Sequence, residues 1–240
     1  MSPDPISATD EELIAFCNAN RKGEARIIQL SEGAVIKLGL DVTAQRPHLP
    51  IGYLVMEFIH GTELSSYLES ADAHQQEGVV NGLLQALDDL ASVPLPNGQG
   101  PGPVGGGPLR GYLWSDSGVN SSFNSVSELG DFLNTIADYN PGPKSDRFDF
   151  AAAKLVMCHG DLAPRNILQL DDGRLALLDW ANAGFYPAVF EIYAFRTRVD
   201  REPIFKSLLS RLPQEEKVER QIERLASVEG VLLRQGDAVN

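Results

Sequence analysis

Residues 26–30 and 34–38 read as two short strands, and Ser31-Glu32-Gly33 between them has the composition of a hairpin turn. A third run, Tyr53-Leu54-Val55-Met56-Glu57-Phe58-Ile59, is apolar and rich in strand formers, so the three together predict a small antiparallel sheet. Ahead of them Thr9-Asp10-Glu11-Glu12 has the spacing of a capping box and opens a short amphipathic helix carrying Leu13, Ile14, Phe16 and Cys17. From Gly61 the hydrophobic period lengthens. Thr62 is placed to cap a turn containing Leu64, Tyr67 and Leu68, and Val80, Leu83, Leu84, Leu87 and Leu90 recur at the spacing of a buried helical face. Residues 94–111, dominated by Pro and Gly, predict a long irregular connection. Further helices are expected at 127–137, ending near Lys154, starting at Pro187 and continuing to about Leu233 with breaks near Pro203 and Pro213. Strands first and helices later argue for an α+β protein with segregated lobes, a reduced N-terminal lobe at 1–60 and a helical lobe at 61–240.

Composition narrows the partners. A chain of 240 residues, 43% hydrophobic, can bury a proper core. A net charge of -13 repels phosphate backbones and anionic membranes at long range, which excludes nucleic acid and membrane surfaces as partners and leaves a cationic small molecule open. Cys17 and Cys158 lack the spacing of a zinc or redox site. The first twenty residues carry acids where a signal peptide carries bases, and no apolar run approaches the ~18 residues of a membrane span, so a cytoplasmic location is expected.

The chemistry concentrates in His159-Gly160-Asp161-Leu162-Ala163-Pro164-Arg165-Asn166, a loop between apolar runs that aims a carboxylate and an amide into one cleft. Phosphoryl transfer needs a carboxylate to orient the attacking hydroxyl and accept its proton, plus oxygen ligands for magnesium. Asp161 suits the first role and Asn166 the second. Two short apolar runs, 167–170 and 175–178, follow, joined by Asp171-Asp172-Gly173-Arg174 as a hairpin loop. With Leu170 opposite Leu175, counting outward sets Asn166 opposite Asp179, with Cβ atoms about 4.5–5.5 Å apart. A slip of one residue would undo that pairing. Gly105-Gly106-Gly107 is not a nucleotide loop by pattern, since no GxxxxGK[ST] is present and no strand leads into it.

CHGDLAPRNIL followed by LALLDWANAGFYP resembles the catalytic and metal-binding signature of the aminoglycoside phosphotransferase and choline kinase family, especially its fungal members. GAVIKLG resembles that family's lysine-bearing strand, GYLVMEFIHG its strand and hinge, and PVGGGPLRG a recurring glycine-rich connection. The resemblance implies a protein-kinase-like two-lobe fold that binds ATP and Mg2+. It implies that Lys37 holds phosphates, that Glu57, Phe58 and Ile59 line the adenine slot partly through backbone groups, and that Asp161 is the catalytic base. Arg165 would act in the same loop, His159 would brace it, and Asn166 and Asp179 would bind magnesium.

One departure is plain. In kinase-like enzymes a helix between the lysine strand and the hinge carries a glutamate for that lysine, but residues 38–56 contain no glutamate, and Arg46-Pro47-His48-Leu49-Pro50 opposes a helix. Glu11 or Glu12, or a second subunit, would have to substitute. Three functions therefore compete: an ATP- and magnesium-dependent phosphotransferase acting on a small-molecule hydroxyl, a ligand-binding or regulatory protein that kept the fold, and an enzyme repurposed for non-phosphoryl chemistry.

Overall fold

A computed structural model describes residues 2–4, 6–22, 27–39, 52–111, 113–119, 121–140 and 147–236. It resolves into two compact units, Met1–His60 and Gly61–Asn240.

In the first unit α1 (Asp10–Asn20) starts at the expected box: Thr9 Oγ1 accepts the Glu12 amide at 3.3 Å, and Glu12 Oε2 accepts the Thr9 amide at 2.9 Å. β1 (Ile27–Ser31), β2 (Ala34–Gly39) and β3 (Gly52–Glu57) form one antiparallel sheet in that order. Leu13 and Cys17 of α1 join Ile28, Leu30, Ile36 and Leu38 in one apolar cluster, so this helix covers the sheet face that the shortened sequence would leave bare. The segment proposed to lack the glutamate-bearing helix falls mainly on 40–51, outside the described residues.

The second unit begins with β4 (Thr62–Glu63), which pairs with Gln169 and Leu168. Thr62 thus spends its backbone on a sheet edge rather than capping, and α2 (Leu64–Ser70) starts without a side-chain cap. α3 (Ala73–Ser92) opens on a capping box between Asp72 and Gln75 and buries Val79, Val80, Leu83 and Leu90. The Pro/Gly connection is more ordered than its composition suggests, contributing β5 (Gly102–Pro103) and β6 (Leu109–Gly111), the latter paired with β7 (Ser115–Val119). α4 (Val126–Ala137) follows. The helix expected to end near Lys154 is not found at 147–154. Asn134 instead clamps that stretch open, donating to the Phe148 carbonyl at 3.0 Å and accepting its amide at 2.8 Å, so that Phe148 and Phe150 enter the core.

β8 (Leu155–Cys158) leads into the loop, and β9 (Ile167–Gln169) and β10 (Leu175–Leu177) form the hairpin after it. β11 (Gly184–Pro187) lies between β5 and β8. Pro187 is the last residue of this strand and not the first of a helix. It pairs with Leu155 on one side, while β5 reaches only Gly184 and Phe185 on the other, so its missing N–H leaves no gap in the ladder. α5 (Val189–Arg196), α6 (Ile204–Arg211) and α7 (Glu216–Gly236) complete the unit, broken near Pro203 and Pro213 as expected. The result is α+β, with small antiparallel sheets and helices gathered in the larger unit.

Candidate active site

β8 pairs with β11 in a register that sets Cys158 opposite Gly184, and the chain leaves the sheet at His159. Gly160 has φ 76, and a Cβ there would stand 2.8 Å from the Asn182 carbonyl, so the turn admits only glycine. His159, buried, spans the loop: its Nδ1 accepts the Asp161 amide at 3.3 Å and its Nε2 lies 2.9 Å from the Leu178 carbonyl. Those two partners select the tautomer protonated at Nε2. The Trp180 ring packs on the imidazole with centroids 4.7 Å apart.

Asp161 is surrounded by donors. Asn166 Nδ2 reaches its Oδ2 at 2.9 Å and its backbone carbonyl at 2.8 Å. Arg165 Nη2 lies 3.0 and 2.9 Å from the two carboxylate oxygens, and Arg198 Nη2 binds Oδ1. The two arginines differ in freedom, since the Arg165 side chain is 58% exposed and that of Arg198 only 4%. Arg198 is further tied to the Ala194 carbonyl at 3.0 Å. Beneath the loop Glu191 Oε2 accepts the amides of His159 at 2.5 Å and Gly160 at 3.0 Å, while its Oε1 is buried with no hydrogen-bond partner. Burial raises the Glu191 carboxyl above its ordinary 4.5, against the pull of those two amides. Cys158 is also buried, which pushes its thiol well above its ordinary 9.0 and makes a thiolate role unfavourable at neutral pH.

The hairpin register differs from the count made on the sequence. Leu175 faces Gln169, Ala176 faces Leu168 and Leu177 faces Ile167. The loop is one residue shorter than assumed: the Leu170 amide donates to the Arg174 carbonyl at 2.9 Å, and Gly173, at φ 85, closes the turn onto Leu170. Asn166 therefore lies opposite Leu178, whose amide it accepts at 2.8 Å, and Asp179 stands one position further on. Asp179 adopts φ 63 and ψ 67, alone among the described non-glycine residues in having positive φ. A left-handed residue that is not glycine costs of order 1–3 kcal/mol, so the surrounding structure must hold this backbone in place.

A model of the phosphotransferase enzyme family (APH) matches residues 22–225. The chain belongs to that family. Solved members share its fold. Aminoglycoside phosphotransferase APH(4)-Ia aligns over 96% of this chain and 94% of its own at 14% identity, with a TM-score of 0.56. A thermostable mutant of that enzyme in ternary complex with ADP and hygromycin B covers 94% and 92% at 14% identity, TM-score 0.55. A gentamicin complex of APH(2")-IIa covers 95% and 97% at 12%, TM-score 0.50. No curated protein matches the chain in sequence.

Within this phosphotransferase family member, the structure brings Asp161, Arg165, Asn166 and His159 into one hydrogen-bonded cluster. Lys37 lies in the other unit, in the middle strand, opposite Ile27 and Leu54. Glu57 ends β3, and the Phe58 amide is already given to the Gly33 carbonyl at 3.0 Å, leaving Ile59 to follow it. Glu12 caps its own helix through the Thr9 amide, a use that competes with any role beside Lys37. Sequence reasoning missed Glu191 and Arg198, which come to the loop from 32 and 37 residues away. The available signal was a lone carboxylate within the apolar stretch VFEIYAF. Among the described residues no group of three or more His, Cys, Asp or Glu could hold a metal ion. The oxygen donors that the resemblance assigns to magnesium are the Asn166 amide oxygen, whose nitrogen is committed to Asp161, and the Asp179 carboxylate; both are hard ligands of the type magnesium takes, but the register that set them directly opposite each other does not hold.

Burial pulls the His159 imidazole below its ordinary 6.5. Since the folded state resists protonation, this contribution to stability is complete above pH 6.5 and lost as pH falls through the lowered folded value. Between pH 7.5 and 5 the stability of the parent relative to His159→Gln should decline in denaturant melts, the Glu191 contribution being common to both; a difference independent of pH would contradict the assignment.

Proposed function

We propose that this chain is an ATP- and magnesium-dependent phosphotransferase acting on a hydroxyl of a small molecule. The observation that carries the reading is the Asp161–Asn166 pair, a carboxylate held in place by the amide of a neighbouring metal-ligand candidate. Asp161 orients the acceptor hydroxyl and takes its proton as the oxygen bonds to the γ-phosphorus and the bond to the departing ADP oxygen breaks. Oδ1 is anchored by buried Arg198; Oδ2 keeps the Asn166 amide and gains a free lone pair for the hydroxyl when exposed Arg165 swings away. Arg165 then meets the charge developing on the transferred group. His159 and Glu191 hold the loop backbone in place. Asn166 and Asp179 would hold magnesium, which supplies charge neutralisation along the phosphates. Lys37 would hold phosphates, and Glu57 to Ile59 would line the adenine slot. The ADP and AMP-PNP complexes of structural neighbours support nucleotide binding. Among the described residues no helix is long and apolar enough to cross a membrane. The phosphotransferase reading assigns the protein to the cytoplasm.

A second reading, a fold retained for binding without transfer, draws on the same cluster, because both oxygens of Asp161 are occupied by guanidinium donors. Thermal shift with ATP, with and without magnesium, separates these readings when combined with product detection. Nucleotide at ~100 times Kd should stabilise by roughly 2.7 kcal/mol. A magnesium-dependent shift together with a phosphorylated acceptor supports transfer. A shift with no product from any hydroxyl acceptor supports binding alone, and no shift overturns the nucleotide role.

A further inference from the structure

Beside the loop the helical unit holds an open cleft of about 460 Å³, lined by Pro103, Val104, Pro108, Met157, Trp180 and Asn182 among others. That volume lies within the roughly 300–1,000 Å³ of small-molecule sites. Two contacts join it to the catalytic loop: the Trp180 ring packs on His159, and Asn182 lies against Gly160, with its Cβ 3.3 Å from the position of an added Cβ there. Trp180 is 45% exposed yet fixed, because its Nε1 donates to the Leu177 carbonyl at 3.1 Å. The wall is thus a held aromatic face one residue from Asp179 and beside His159, two residues before Asp161.

Among the described residues the lining is uncharged, in a chain with 33 acidic residues. An ammonium group entering here would lose hydration with no carboxylate among those wall residues to replace it. A flat apolar body would instead cover Trp180, Met157 and Val104, and Asn182 would supply the polar contact that orients it. We infer that this cleft takes an uncharged, aromatic acceptor carrying a hydroxyl, not a polycationic amino sugar. The inference rests on the phosphotransferase reading only for which end of the molecule reacts. It replaces the cationic acceptor suggested by net charge with one chosen by the local wall.

Calorimetric titration of the full chain with 4-phenylphenol and with 2-deoxystreptamine, at pH 7 and without nucleotide, tests it. The phenol should bind at least ten-fold more tightly. Val104→Asp, at an exposed position that tolerates a charge, should narrow that ratio ten-fold or more by weakening the phenol and favouring the diamine. Tighter binding of the diamine by the parent, no measurable phenol binding, or a ratio unmoved by Val104→Asp overturns the inference. Adding magnesium and ATP separates the two claims. Phenol binding with no phosphoester formed on it or on any other hydroxyl acceptor tried keeps the cleft assignment and removes the phosphotransferase reading. Phosphorylation of the diamine with the phenol ignored keeps the transferase and removes the cleft assignment.

Discussion

Asp161→Asn is expected to lower the rate of phosphoryl transfer by about 10²–10⁴-fold while leaving a folded protein, the range for losing a positioned general base. The amide keeps the shape of the carboxylate and one acceptor for Arg198, but it cannot take the hydroxyl proton. Steady-state product formation measures the loss, with circular dichroism as the control for folding. Asp161→Ala should fail differently. It strips buried Arg198 of its carboxylate partner, and removing one member of a buried pair costs about 3–5 kcal/mol. Arg198→Met added to Asp161→Ala should recover part of that stability and none of the activity. Asn turning over as the parent does would remove Asp161 from the chemistry; Ala as stable as Asn would remove Arg198 from the account of stability.

Glu191→Leu should destabilise the helical unit by about 2–6 kcal/mol, since it leaves the His159 and Gly160 amides buried without an acceptor, at about 1–3 kcal/mol each. Turnover should fall with it, because those amides belong to the residues just before Asp161. Glu191→Gln is the informative companion, as its carbonyl oxygen can accept both amides. Burial holds the native carboxyl above 4.5, so its contribution to stability is present below that ordinary value and is lost as pH rises through the folded one. Gln has no such loss. The stability of Glu191→Gln relative to the parent should therefore improve between pH 4.5 and pH 7 in denaturant titrations, with the His159 contribution common to both. A difference independent of pH would mean that Glu191 is not the titrating group.

What could be read from the chain divides by how local the causes are. Thr9 and Glu12 satisfy each other three residues apart, and the box was legible without any tertiary information. The loop motif was legible because its donors and acceptors lie within five residues of Asp161. The hairpin register was missed by one residue, because a left-handed Gly173 makes a three-residue turn where composition suggested four. Pro187 was misassigned for a related reason: its fixed φ suits a strand end as well as a helix start, and only the shortness of β5 decides between them. Arg198 was invisible because nothing local distinguishes a buried functional charge from a solvated one, and Glu191 offered only its place in the apolar stretch VFEIYAF, which says that it is buried but not what it holds. Their partners are fixed only once α5 packs beneath the loop.

The sheet that joins β5, β11 and β8 carries a consequence for how such a protein changes its diet. The strap bounding the cleft inferred to take the acceptor and the strand that leads to Asp161 are both stitched to β11, at Gly184–Phe185 and along its full length respectively. Residues 104–108 bulge between two anchored ends, so they can be exchanged while the stitching stays intact. Selection can thus retune what is accepted without disturbing how it is processed, and grafts confined to that bulge are where new acceptors should be sought first.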